Sequence, residues 1–294
     1  MIEFSGVTKR FRRQEVLQSI DLRIERGQRV ALVGSNGAGK TTLIRCLLGE
    51  YTHQGQVLID GESPREHRQS VLSKIGFVPQ LPPPLRMPVG QLVRFSASLC
   101  QADPERMQAV ADDLGFDARR YRHHPFFKLS GGQKQKLLIA IALGRDSELL
   151  VMDEPAANLD PEARHQLFRL LAEKQDKAAM LISSHRLDEV AALVNRVIEM
   201  DQGRIVLDDE VADSVDMTRL LAVVVIMTQP EDAFARALSE WGFRELADPC
   251  HWSGTIAGPD RLRFLGMLSR YAALLAGLEM SEAAGSATEA SDVA

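Results

Sequence analysis

Residues 34–42, GSNGAGKTT, match the pattern G-x-x-x-x-G-K-[ST] and follow the apolar run VALVG at 30–34. Such a turn, set between a strand and a helix, aims several main-chain N–H groups at one phosphate. Gly37 and Gly39 let the backbone curl, while Gly34, Ser35, Asn36 and Ala38 complete the loop. Lys40 places a point charge against β- and γ-phosphates, and Thr41 offers a hydroxyl to Mg²⁺. Thr42 continues into a helix whose N-terminal partial charge favours an anion. The ligand this pattern predicts is a nucleoside triphosphate with Mg²⁺.

Three further positions fit the same chemistry. LLVMDEP at 149–155 is an apolar strand that carries Asp153 to its carboxyl end, where ligands bind in open α/β sheets. Asp153 can hold Mg²⁺ through its water shell, and Glu154 can polarise an attacking water. Alone, a strand ending in Asp-Glu says little; beside the glycine-rich loop it says much more. Gln80 ends a short strand just before LPPPLRMP at 81–88. Its amide can reach Mg²⁺ or the water, although a loop Gln in isolation is ordinarily a surface residue. His185 ends the strand AMLISSH at 179–185. Its imidazole can hydrogen-bond a γ-phosphate, or can simply be structural.

A second glycine-rich turn, LSGGQ at 129–133, opens another helix. Ser130 is a good N-cap, and Gly131 and Gly132 expose N–H groups at the helix start before Gln133. By its own chemistry this is a second anion site. Two arrangements stay open. The turn can grip the nucleotide of its own chain, or its anion can come from another subunit.

The elements that must position these groups can be read from periodicity. VLQSIDLRI at 16–24 alternates like a strand, and QVLIDG at 56–61 and IGFVPQ at 75–80 read as short strands. LIRCLLG at 43–49 is helical. The prolines at 81–88 break both strand and helix, because proline lacks the N–H donor. From 89 to 147 the pattern is helical, and PEARHQLFRLLAEK at 161–174 is amphipathic with Pro161 at its start. LDEVAALV at 187–194 reads as a helix, and RVIEMDQGRIVLDD at 196–209 as a hairpin turning at Asp201 to Gly203. A second, α+β unit is expected over 215–280: strand 220–227, helix 230–243, strand 251–258 and helix 260–278. The small, polar, acidic stretch 281–294 reads as a disordered tail.

Composition narrows the field further. The chain has 294 residues, 45% of them apolar, with net charge −5, which argues against nucleic acid as a partner. The basic clusters at 10–13 and 119–124 read as solvated surface, and His123 and His124 lack a third ligand at useful spacing. Three widely spaced cysteines form no disulfide framework and fit a reducing, cytosolic compartment. The N-terminal stretch lacks the apolar centre of a signal peptide, and the longest apolar run, LLAVVVIM at 220–227, is far short of a bilayer span.

GSNGAGKTT, Gln80, LSGGQ, LLVMDEP, NLD at 158–160 and His185 occur in the order of the ABC-type ATPase family, and over residues 1–210 the chain resembles it. The resemblance implies an α/β fold: a P-loop NTPase core with an antiparallel β subdomain and a helical lobe over about 88–145. The small α+β domain follows that core. It also implies a homodimer joined head to tail, with each ATP between the P-loop of one chain and the LSGGQ of the other. Ser130, Gly131, Gly132 and Gln133 would then complete a neighbour's site. By the same resemblance Glu154 looks like the general base, Asp160 like a link between the two sites, and Phe11 like the ring stacked on adenine. PAANLDP at 155–161 carries Ala156, Ala157 and Asn158 where Thr, Ser or Gly are common. The family implies ATP and Mg²⁺ as ligands, separate transmembrane permease subunits as partners, and peripheral attachment to the cytoplasmic face of the inner membrane. SSHRLDEV and the unit after 210 most resemble ATPases of ABC-2-type exporters. An importer with a regulatory C-terminal domain and a soluble non-transport ABC ATPase are the alternatives.

Overall fold

In the computed structural model, described over residues 1–174, 177–185, 187–191, 193–210, 220–257 and 260–282, contacts divide the chain into two units. One covers Met1–Arg186 and Ala192–Val211, the other Leu187–Ala191 and Ala212–Ala294.

The first unit holds two sheets. β1 (Ile2–Phe11), β2 (Gln14–Ile24) and β4 (Gln54–Ile59) make an antiparallel sheet in the order β2-β1-β4. The second sheet has the order β5-β6-β7-β3-β8-β9, from β5 (Ile75–Val78), β6 (Leu149–Asp153), β7 (Ala179–Ser184), β3 (Arg29–Val33), β8 (Arg196–Asp201) and β9 (Arg204–Glu210). Neighbours from β5 to β8 run parallel, and β9 turns back antiparallel on β8. All residues of β6 and β7 are buried, which explains their unbroken apolar character.

α1 (Lys40–Leu47) buries Leu43, Ile44 and Leu47 in the core shared by both sheets. Phe4, Leu17 and Ile24 reach that core from the antiparallel sheet, and Leu32, Val151 and Leu181 from the parallel one. Each fully buried Leu or Phe contributes about 1.5–3 kcal/mol. α3 (Val89–Leu99), α4 (Pro104–Asp113) and α5 (Gly131–Leu143) build a helical lobe with its own core, including Val89, Met107, Phe116, Phe126 and Leu137. α2 (Arg68–Ser73), which periodicity did not reveal, is only six residues long. α6 (Pro161–Ala172) starts at Pro161 as the sequence indicates.

The second unit has the order β10 (Leu220–Met227), α8 (Asp232–Glu240), β11 (Arg244–Glu245), β12 (His251–Ala257), α9 (Arg261–Ser269), β13 (Leu275–Glu282). Its sheet is antiparallel in the order β11-β12-β10-β13, the split βαβ arrangement. Val223 and Val225 meet Phe234, Leu238, Phe264 and Leu268 in its core. α7 (Leu187–Val190) contacts α9 and is shorter than the helix expected over 187–194.

The helix expected over 260–278 requires correction. It stops at Ser269, and Leu275–Glu282 is a strand that pairs Met280 with Val223 and Leu278 with Val225. A short apolar run fits either period, and the partner strand decides between them. Ser281 and Glu282, assigned to the tail by composition, belong to that strand; 283–294 lie outside the described residues.

Cys46 is fully buried on the inner face of α1, and burial raises its thiol to about 11. Cys100 and Cys250 are half-buried. Because the thiolate is the nucleophile, iodoacetamide at neutral pH should spare Cys46 in the native protein and label all three cysteines in denaturant, as read by peptide mass spectrometry. Native labelling of Cys46 at the rate of the other two would contradict this packing.

Candidate functional site

The parallel sheet sets the site. β3 ends at Val33, and the loop that follows has left-handed backbone at Gly34 (φ 143°) and Gly39 (φ 110°). A Cβ on Gly34 would stand 2.2 Å from the Met200 carbonyl oxygen, so the turn closes against β8 only with glycine there. Gly39 caps α1 with no side-chain bond. Ser35, Asn36, Gly37, Ala38, Gly39, Lys40, Thr41 and Thr42 then line one cleft of about 320 Å³, together with Gln80, Glu154 and Val16.

Lys40 turns its Nζ to the carbonyl oxygens of Gly34 (2.6 Å) and Ser35 (3.2 Å) and stands 3.9 Å from Glu154 Oε1. Burial holds its pKa below the ordinary lysine value, opposed by the charges of Glu154 and Asp153. An anion in the cleft would add to those opposing charges.

Asp153 ends β6 and Glu154 follows it, both buried. Glu154 takes a left-handed backbone (φ 49°), which turns the chain out of the strand. Its Oε2 lies 2.7 Å from His185 Nδ1, where β7 has just ended. His185 is 52% exposed and Glu154 only 8%, so the imidazole covers the buried carboxylate. The sequence left His185 either a γ-phosphate partner or a structural residue; here its Nδ1 is engaged by Glu154.

The LSGGQ turn lies elsewhere. Ser130 caps α5: its Oγ accepts from Gln133 N–H (3.2 Å), and Gln133 Oε1 accepts from Ser130 N–H (3.0 Å). This capping box uses the amide oxygen of Gln133 and leaves the N–H groups of Gly131 and Gly132 as the orphan donors of the helix start. Ser130, Gly132 and Gln133 line a second cleft of about 440 Å³ with Lys136, Arg120 and Asp160. Among the described residues, none lines both clefts. Phe11 also stands outside the first lining: its ring, 39% exposed, meets Tyr51 edge-on at 5.2 Å, with Lys9 Nζ 4.7 Å from its centroid.

The family described as ABC transporter matches residues 17–157, a stretch that holds the glycine-rich loop, Gln80, LSGGQ, Asp153 and Glu154. The glutamine transport ATP-binding protein GlnQ of Escherichia coli is 33% identical over 221 residues, which cover 71% of this chain and 90% of that protein. This chain belongs to the ABC transporter ATPase family. The phosphonates import ATP-binding protein PhnC of Cupriavidus pinatubonensis is 32% identical over 237 residues, 70% of this chain and 82% of that one. A solved ATP-binding subunit of an ABC transporter superposes with a TM-score of 0.65 at 25% identity, covering 72% of this chain and 91% of that one.

Several residues of this ABC ATPase escaped sequence reasoning. Val16, near the start of β2, lines the glycine-rich-loop cleft, and nothing in its local pattern marks it. Lys136 holds Asp160 at 2.7 Å, while Asp160 also caps α6 through Ala163 N–H. Asp160, which by resemblance looks like a link between the two sites, makes both of these bonds within its own chain. Gln135, fully buried, donates from Nε2 to the Pro155 carbonyl at 3.2 Å. Ser183, also fully buried, bonds both Asp153 and Glu154.

Gly34→Ala should cost at least about 2 kcal/mol of stability, from backbone strain and the clash with Met200, and should abolish ATP binding. Denaturant unfolding and nucleotide titration measure the two effects. A stable variant with undiminished ATP affinity would contradict the close approach seen here.

Proposed function

We propose that two copies of this ATPase close head to tail on ATP, each supplying the P-loop of one site and the LSGGQ turn of the other. The observation that carries this reading is the separation of the two clefts. The P-loop lining lacks any residue of 130–133, and the LSGGQ lining lacks any of 34–42. Each chain therefore owns two half-sites, and a second copy supplies what each lacks.

In the assembled site the main chain of 35–41 cradles the phosphates, Lys40 leaves its carbonyl partners for them, and Phe11 offers an aromatic face to adenine. The oxygen donors Thr41, Asp153 and Gln80 suit a hard cation and would hold Mg²⁺. Bound there, Mg²⁺ would neutralise charge on the β- and γ-phosphates. Glu154 orients and deprotonates the attacking water, with His185 fixing its carboxylate. Ser130, Gly131 and Gly132 meet the partner's γ-phosphate, and Asp160 lies beside that junction. Catalysis here is chiefly positioning and charge stabilisation.

The ATP-driven closing and opening drives transport through separate membrane subunits. No helix among the described residues is long and apolar enough to cross a membrane, which accords with a peripheral subunit at the cytoplasmic face. The likeness of SSHRLDEV and of the unit after 210 to ABC-2-type ATPases supports export. Import is the second reading, favoured by the name of the phosphonate relative, with the 220–282 unit as an accessory domain. Co-purification of a polytopic membrane protein tests the transport role; salt-sensitive nucleic-acid binding in its place would sink it.

Glu154→Gln should lower turnover at least about 100-fold while keeping ATP affinity, and should accumulate a dimer on gel filtration with ATP. A persistent monomer argues against closure. Ser130→Arg and Lys40→Ala chains should each be inactive alone, yet an equal mixture should regain about a quarter of wild-type activity, because mixed dimers hold one intact composite site. No recovery at any mixing ratio would remove the support for sharing sites between copies.

A further inference from the structure

We infer that Ser183 is a positioning residue of the hydrolytic site, holding the Asp153 carboxylate and the Glu154 main chain in place with one hydroxyl. The inference rests on the proposed roles of Asp153 with Mg²⁺ and of Glu154 with water.

Ser183 sits in β7, a strand buried at all six positions, and is itself fully buried. A hydroxyl taken from water into such a strand is costly unless both its donor and its acceptor functions find partners. Here both do. Asp153 and Ser183 are paired across the parallel β6–β7 ladder. From that register the Oγ donates to Asp153 Oδ1 at 2.6 Å, the short range of a bond to a carboxylate. The same oxygen accepts from Glu154 N–H at 2.9 Å.

Each bond fixes something the chemistry needs. The first engages Oδ1 and restrains the rotation of the Asp153 carboxylate, which would hold Mg²⁺ through its water shell. The second anchors a peptide whose next dihedral is unfavourable for any side-chain-bearing residue: Glu154 has φ 49°. That left-handed turn carries the Glu154 carboxylate away from the strand axis to His185. Without the Ser183 hydroxyl, the Glu154 N–H is left buried without this partner and the turn loses a restraint. Asp153 keeps its charge and loses its orientation. A serine that only satisfied the core would affect stability alone. A positioning serine also governs how strongly Mg²⁺ binding is coupled to ATP binding.

The test uses the full chain and a fluorescent ATP analogue, titrated in EDTA and in Mg²⁺, together with kcat and KM. Asp153→Asn and Glu154→Gln serve as references. Ser183→Ala should keep the affinity measured in EDTA and lose most of the gain that Mg²⁺ adds. It should raise half-saturating Mg²⁺ about tenfold and lower kcat about 10- to 100-fold, the range usual for residues that orient metal ligands. KM for ATP should change less than kcat, and Ser183→Thr, which keeps the hydroxyl, should recover most of the loss. If Ser183→Ala fails to fold, the near-isosteric Ser183→Cys, a much weaker donor, should show the same pattern at smaller amplitude. Wild-type Mg²⁺ coupling and kcat in a folded Ala or Cys variant, while Asp153→Asn and Glu154→Gln are impaired, would overturn the role of Ser183 alone. If the two reference variants also keep wild-type values, the site assignment falls, and this inference with it.

Discussion

The register of three parallel strands is the constraint on which the site depends. β6 pairs Asp153 with Ser183 of β7, and β7 pairs Ser184 with Val33 of β3. Because the strands end together, the loops that leave them start side by side. The glycine-rich loop follows Val33, the Glu154 turn follows Asp153, and His185 follows Ser184. A slip of one residue in the β6–β7 ladder would turn Asp153 to the other face and pull Glu154 from His185, and a slip in the β7–β3 ladder would shift the glycine-rich loop away from both. The all-apolar burial of β6 and β7 holds that register, so the core and the site share one cause.

Around this edge the charges are arranged to remain paired. Glu154 stands between Lys40 and His185, and Lys40 rests on loop carbonyls. The lysine is held where burial disfavours its charge and two carboxylates favour it. A triphosphate would supply a stronger partner for the same cation, which gives the cleft its preference for a highly charged anion.

The segment after Glu154 ties the elements that line the two clefts together. Pro155 accepts from Gln135 and Asp160 pairs with Lys136, both on the helix that LSGGQ opens. Movement at the Glu154 end therefore bears on the helix carrying Ser130 through bonds two and three residues beyond LSGGQ. The second unit has a separate core built from aromatic contacts, including Phe234 stacked on Tyr271 and Phe243 on Phe264.

By itself the sequence determined the local chemistry. GSNGAGKTT specifies its own turn, because glycines at left-handed positions and a helix start suffice to make a phosphate cradle. The Ser130 cap and the Pro161 helix start were legible for the same reason: their hydrogen bonds lie within a few residues of chain. Tertiary structure decided everything that depends on pairing across long stretches. Ser183 reads as any strand serine until β6 lies beside it, and Val16 as any β2 valine until the cleft forms next to it. Leu275–Glu282 became a strand rather than more helix because β10 offered it a ladder. That LSGGQ and the P-loop line separate clefts was likewise invisible along the chain, since it is set by where the helical lobe folds. Main-chain turns close over short distances and are written in residue type, whereas register and facing are set by which buried surfaces meet.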